Sequence, residues 1–231
     1  MRIAIITARG GSKRIPRKNI KPFCGKPILA YSIQAAKDSG IFDEVMVSTD
    51  DEEIAQIARE YGAEVPFLRS EATSNDYATT AEVLLEVAEE YEKRGKSFDQ
   101  ICCIYPTAPF VTGEKLVRAE QLLENSGADS VVPVVAFSYP PMRGLVIEAD
   151  CARMKWPENY TARSQDLEPM YHDCGQFYIV RTQALLQEKT LFCKKTAPLI
   201  LSELEVQDID NEVDWELAEL KYELLKRRGL L

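Results

Sequence analysis

The chain has 231 residues, 45% of them hydrophobic and 28% charged, enough for one large globular domain, 1–231, with a full core. Its net charge of −9 argues against nucleic acid as a partner, which favours a broad basic face, and no apolar run approaches the roughly 20 residues of a membrane span. The first apolar run breaks at Arg9, too early for a signal peptide, and six cysteines without a C-x-x-C pair lead us to expect reduced thiols and a cytoplasmic protein.

Strand and helix signals alternate along the chain. RIAIIT (2–7) is a β-branched run, and KPILAYSIQAAKDSG (26–40) carries helical apolar spacing between an early Pro27 and a late Gly40. EVMVST (44–49) is the next strand, and 50–62 opens with acids and places Ile54, Ile57 and Ala58 on one helical face. AEVPFL (63–68) is expected to be a short strand before the polar loop RSEATSND. A helix from about 80 to 94, the strand 98–105, a helix near 113–125 and the strand 129–137 follow. Apolar strands alternating with amphipathic helices predict an α/β fold with a mostly parallel sheet flanked by helices.

The rhythm breaks between about 138 and 172, a stretch rich in Pro, Tyr, Met and Arg in which only GLVIEAD (144–150) and its neighbourhood are strand-like. We read it as an inserted arm. Order returns with CGQFYIV (174–180), a short helix, APLILSEL (197–204), VQDID (206–210) and a helix over 212–228.

Charge is unevenly spread. Residues 1–37 hold nine Lys/Arg and no acid, leaving 19 of the 28 basic residues against all 37 acids. The loop ARGGSKRIPRKNIKPFCGK (8–26) concentrates this charge directly after the first strand. A solvated basic loop is one reading. It leaves Gly10 and Gly11 unexplained, because paired glycines free successive amides to face one object at the end of a strand, where open sheets bind ligands. The spacing matches neither G-x-x-x-x-G-K-[ST] nor G-x-G-x-x-G. The alternative is a triphosphate cradle: Gly10, Gly11 and Ser12 supply donors while Arg9, Lys13 and Lys18 neutralise phosphate oxygens.

ARGGSKRIPRKNI resembles the nucleotide-binding signature of the sugar cytidylyltransferases that activate nonulosonic acids, the sialic acid family. The resemblance continues through VSTDDEEIAQIAREYGAEVPFLR (47–69), YPTAPF (105–110), RSQDLE (163–168), YHDCGQFY (171–178) and VQDID (206–210), nearly the whole chain in order. The RSQDLEPMYHDCGQFY block is most similar to the branch that handles pseudaminic acid. The resemblance implies a Rossmann-like nucleotidyltransferase fold with an inserted dimerisation arm, and transfer of CMP from CTP to a nine-carbon sugar acid with release of pyrophosphate. N-acetylneuraminate and legionaminate are alternative acceptors. A non-catalytic nucleotide-sugar-binding module would lack the metal carboxylates or the phosphate lysines, and Asp208, Asp210, Lys13 and Lys18 are all present.

In-line phosphoryl transfer needs positioning, metal ions and cations more than covalent chemistry. Residues two apart in an extended segment point the same way, so Asp208 and Asp210 are candidate ligands of one Mg²⁺ while Ile209 faces the core. Acids decorating the start of the last helix are the plainer alternative. The family pattern matches Arg9, Ser12, Lys13 and Lys18 to phosphate contacts, with Asn19 in the same signature and the main chain of Ala8 placed to read the base. Lys18, Arg9 and Asp210 are the candidate catalytic groups. Asp50 either holds the nucleotide or caps the helix after it. Relatives often carry Gln at the position of Tyr105. For the acceptor, Arg163 is the bidentate partner expected for its carboxylate, Gln165 and Gln176 for its N-acyl groups, and Tyr178 for its apolar end. The lone His172 is read as structural, and the arm implies a homodimer.

Overall fold

The computed structural model describes all 231 residues. Strand β1 (Arg2–Thr7) runs into the basic loop, which carries a single 3-10 turn at Lys18–Ile20 and a two-stranded ribbon, β2 (Pro22–Phe23) with β3 (Lys26–Pro27). Cys24 and Gly25 close that ribbon at positive φ, 43° and 100°, so the helix expected from residue 26 starts later, as α1 (Leu29–Ser39). Next come β4 (Glu44–Ser48), α2 (Glu52–Glu60), the four-residue α3 (Glu71–Ser74), α4 (Thr80–Lys93), β5 (Gln100–Ile104), α5 (Gly113–Ser126) and β6 (Ser130–Ala136). The remaining elements are β7 (Leu145–Glu148), β8 (Cys151–Met154), β9 (Tyr171–Asp173), β10 (Phe177–Arg181), α6 (Thr182–Glu188), β11 (Thr196–Ile200) and α7 (Glu212–Arg227).

The main sheet has the order β4-β1-β5-β10-β6-β11, all parallel except β10, with β9 antiparallel to the far end of β6. The expected α/β class with a mostly parallel sheet therefore holds. Helix starts follow local chemistry: Asp51 accepts from the Ile54 amide at 3.0 Å to cap α2, and Thr79 with Glu82 forms a capping box on α4. One expectation fails. Residues 63–68 add only a bridge, Glu64 to Met46, beside β4, because Pro66 has no N–H with which to extend the ladder.

Apolar residues on the two faces of the sheet form two core clusters, one around Ile6, Cys102 and Phe177, the other around Ile5, Cys103 and Val180. A third, smaller cluster lies apart from the sheet. It joins Ile15 and Phe23 of the basic loop to Phe110, Ile209 and the α7 residues Trp215 and Ala218. Phe23 is packed edge-on against Tyr31, Trp215 and Tyr222 at 5.5 Å in each case, so the N-terminal loop and the C-terminal helix are fixed to each other by aromatic contact.

From Ala136 to Asp173 no residue is buried. The β7–β8 ribbon and its short 3-10 turns carry no core of their own, and Ile147, Tyr139 and Tyr160 stand 77%, 87% and 74% exposed. No helix is long and apolar enough to cross a membrane.

Candidate active site

Two clefts open at the C-terminal ends of β1, β5 and β6, where an open parallel sheet presents its loops to ligands. The first, of roughly 410 Å³, is lined by Arg9, Ser12, Lys13, Arg14 and Lys18 together with Asp76 and Tyr105. The second, of roughly 540 Å³, lies between the β9–β10 bend and the segment before α7, and is lined by Asp173, Tyr178, Asp208, Lys221 and, again, Tyr105. Tyr105 is thus the wall shared by both. A larger hollow of roughly 850 Å³ lies at the opposite end of the sheet, around Phe98, Asp129 and Arg181, away from every candidate site residue.

The basic loop is held in shape by its own main chain. Ala8 is buried and its N–H donates to the Ser48 carbonyl at 2.9 Å, continuing the pairing of β1 with β4. Asn19, 6% exposed, donates its amide to the Arg9 carbonyl at 2.8 Å and so closes the loop on itself. Gly10 donates its N–H to Asp50 Oδ1 at 2.8 Å, and a Cβ at Gly10 would stand 2.8 Å from Asp51 Oδ2, a clash that only glycine avoids. Around Gly11 there is open space. Asp50 therefore anchors the loop, and the cap of α2 is made by its neighbour Asp51.

Each cation of the loop has a defined partner. Arg9 and Lys13 share one carboxylate, Asp76, at 2.6 and 2.5 Å, and Lys13 then Arg9 hold that carboxyl below its ordinary range. Arg14 pairs with Asp210 at 2.7 Å, and Arg17 with Asp51 and Glu53. Lys18 reaches across to the C-terminal segment and donates to the Ile209 carbonyl at 2.7 Å. Burial lowers the pKa of its ammonium, opposed by the charges of Asp210 and Asp208.

The Asp208-Ile209-Asp210 segment has the alternation expected of it. Ile209 is 1% exposed within the third cluster, while both carboxylates face outward. Asp208 faces outward into the cleft, and partial desolvation by the cleft wall, then the charge of Asp210, raises its pKa. Asp214 is committed elsewhere: its Oδ2 accepts from the Asp210 and Asn211 amides at 2.9 and 3.0 Å, and Asn211 in turn accepts from the Asp214 amide at 3.0 Å. Behind the segment, the buried Lys115 ammonium bonds Glu205 Oε1 and the Phe110 carbonyl, each at 2.8 Å, fixing the turn that precedes Asp208.

The acceptor candidates divide. Tyr178 lines the second cleft, 3% exposed, with its hydroxyl donating to Asp173 Oδ2 at 2.5 Å. Gln176 is 1% exposed; its amide nitrogen donates to the Glu205 carbonyl at 2.6 Å, so this side chain braces the same turn and offers no surface to a ligand. Arg163 and Gln165 sit exposed on the arm, lining neither cleft, and Arg163 pairs with Asp166 at 2.7 Å. Among the cleft side chains that sequence reasoning did not single out are Asp76, Arg14, Asp173 and Lys221. Asp76 ends a polar loop, RSEATSND, with nothing local to set it apart from Glu71, and its proximity to Arg9 and Lys13 is a product of the fold.

The cytidylyltransferase family model matches residues 3–215. The chain is 40% identical over 223 residues to the pseudaminic acid cytidylyltransferase of Campylobacter jejuni subsp. jejuni serotype O:2, covering 96% of each. It is 36% identical over 229 residues to the CMP-N,N'-diacetyllegionaminic acid synthase of Legionella pneumophila subsp. pneumophila, again covering 96% of each. In fold it is similar to CMP:2-keto-3-deoxy-manno-octonic acid synthetase solved with CTP, with a TM-score of 0.68 at 18% identity, covering 98% of this chain and 99% of that one. A match through the first cleft, the second but for Lys221, and every strand of the main sheet but the first residue of β1 places this chain in the cytidylyltransferase family, as a CTP-dependent nucleotidyltransferase.

Proposed function

We propose that the enzyme transfers CMP from CTP to the anomeric hydroxyl of a nonulosonic acid, pseudaminic acid foremost, releasing pyrophosphate. The observation that carries this reading is the contact between Lys18 and the Ile209 carbonyl, which sets the cationic loop beside the two carboxylates, on a cleft that shares the Tyr105 wall with a second one large enough for a sugar. The choice of acceptor is supported by the identity to the Campylobacter enzyme across nearly the whole chain.

In this reading Gly11 and Ser12 donate to phosphate oxygens, and Arg9 and Lys13 exchange Asp76 for the triphosphate. Lys18 faces the charge that gathers on the departing pyrophosphate as the Pα–O bond to it breaks and the bond to the anomeric oxygen forms. Asp208 and Asp210 fit Mg²⁺, which takes one or two protein carboxylates and keeps water and phosphate oxygens for the rest; no cluster of three acidic, histidine or cysteine ligands competes for it. When bound, the ion neutralises and orients the phosphates. Arg14 then gives up Asp210 and is free to meet phosphate itself. The half-buried Tyr105 separates nucleotide from acceptor.

We further assign a homodimer built through the arm, supported by its exposed apolar side chains, and a cytoplasmic location, supported by buried free thiols at Cys102 and Cys103. The decisive assay is pyrophosphate release from CTP and Mg²⁺ with pseudaminic, legionaminic and N-acetylneuraminic acids in parallel. Fastest release with pseudaminic acid supports the reading. Release with another acid alone reassigns the acceptor, and silence with all of them defeats it.

A further inference from the structure

We propose that Asp173, oriented by the Tyr178 hydroxyl, is a specificity-determining residue: its carboxylate accepts an amide N–H of the acceptor and turns the acceptor's own carboxylate away. The inference rests on the nucleotidyl-transfer reading and adds to it a residue and a direction of binding.

Asp173 ends β9 at the bend where the chain leaves the outer part of β6 and re-enters the sheet as β10. Gly175, at φ +60°, makes that bend, and its N–H donates to Asp173 Oδ1 at 2.9 Å. Oδ2 accepts the Tyr178 hydroxyl at 2.5 Å. Tyr178 is 3% exposed and packs edge-on against Tyr105 at 5.6 Å, so the hydroxyl is immobile and the carboxylate plane is set by two fixed donors. Asp173 itself is exposed and lines the second cleft together with Asp208.

Each carboxylate oxygen carries two acceptor positions, and the two bonds made here use one apiece. The free positions demand donors. A sugar acid offers N–H and O–H groups as donors and one carboxylate that a facing anion repels. An amide N–H on a carboxylate is a charge-assisted bond, and a buried tyrosine that fixes the acceptor geometry makes it directional. The only lysine of this cleft, Lys221, directs its ammonium at the Val206 and Glu203 carbonyls at 2.8 and 3.3 Å and makes no ion pair with Asp173, whose free acceptor positions stay open.

A purely structural Asp173 would serve only to close the turn at Gly175. Asp173→Asn and Asp173→Ser both keep an oxygen for the Gly175 amide and remove the charge, so they separate the two roles. The test is steady-state kinetics of both variants and of Tyr178→Phe, with a di-N-acylated nonulosonic acid and with a sugar acid bearing hydroxyls in place of its amides, alongside thermal unfolding. The expected result for Asp173→Asn and Asp173→Ser is an acceptor KM raised about tenfold or more with the amide acceptor. The KM for CTP should stay within about twofold, preference between the two acceptors should shrink, and Tyr178→Phe should give a smaller rise. Unchanged acceptor KM, or equal rises for CTP and acceptor, overturns the proposal. Inactivity of the unmodified enzyme with every acceptor would instead overturn the reaction assignment.

Discussion

Lys18 Nζ lies 2.7 Å from the carbonyl oxygen of Ile209, a residue 191 positions further along the chain, and that carbonyl sits between Asp208 and Asp210. The approach is driven from below by apolar packing: Ile15 and Ile209, 0% and 1% exposed, belong to the same cluster as Phe23 and Trp215. Burying those side chains obliges the charged residues beside them in sequence to face one cleft. Lys18 accordingly belongs to both halves of the site. Lys18→Ala is expected to lower kcat about 100-fold, the scale of losing one donor to a developing anion, while the acceptor KM changes a few-fold at most. Pyrophosphate release over a grid of both substrates checks it, and a kcat near that of the parent removes Lys18 from the chemistry.

Asp210 is half-exposed and its Oδ1 is spent on Arg14, so its removal leaves the apolar contact of Ile209 untouched. Asp210→Ala should abolish turnover at any Mg²⁺ concentration yet shift the melting temperature by no more than a surface substitution does, within about 0.5 kcal/mol. Calorimetry on the same variant should show CTP binding that no longer strengthens when Mg²⁺ is added. Binding that still depends on Mg²⁺ would place the ion elsewhere.

Asp76 bridges Arg9 and Lys13 in the cleft where the triphosphate is proposed to lie. An anionic ligand must displace this carboxylate, and that exchange weakens the ligand's apparent affinity. Asp76→Asn removes the competing charge, so CTP and inorganic pyrophosphate should both bind about three- to tenfold tighter by calorimetry, with a shallower salt dependence of the difference between variant and parent. Weaker binding would mean that Asp76 orders the cations for the ligand instead of competing with it.

The order of elements was legible because buried parallel strands and amphipathic helices have distinct periods, and 2–7, 44–49 and 80–94 reappear as β1, β4 and α4 within one or two residues. The alternation at 206–210 was legible for the same reason: Ile209 goes in and its neighbours stay out. What the pattern could not carry is pairing across the fold. Nothing local joins Asp76 to Arg9, or Arg14 to Asp210; both pairs follow from how loops meet above the sheet. Gln176 was misjudged for a related reason. The sequence offers Gln176 as a partner for the acceptor's N-acyl groups, but its side chain is buried and donates to the Glu205 carbonyl inside the fold.

Arg17 clamps the first residue of the α2 cap, and its hydrogen bond to Asp51 holds that carboxyl below the ordinary carboxylate range. A depressed folded-state pKa stabilises the protein above the unfolded value of about 3.9, and the contribution is lost as pH falls through the folded value. Asp51→Asn keeps a capping side chain but gives up the charge. In urea unfolding the parent should be the more stable at pH 7, with the gap closing below about pH 4. A gap independent of pH would show that the clamp acts through packing alone.

The arm gives the last prediction. Ile147 and Leu145 stand 77% and 63% exposed on a ribbon with no core, beside Tyr139 and Tyr160. On a monomer, Ile147→Asp would change stability by about 0.5 kcal/mol or less. In a homodimer closed over the ribbon the same change buries an unpaired carboxylate at each copy, which costs far more. Light scattering of the parent should give a dimer mass at micromolar concentration, and Ile147→Asp should shift it toward the monomer with a melting temperature that falls on dilution. Arg163 and Gln165 lie on this arm outside their own chain's clefts. If the partner's arm brings them over the second cleft, the monomeric variant should lose acceptor affinity while CTP binding is retained. A monomeric parent with full activity would leave the arm without a dimeric role.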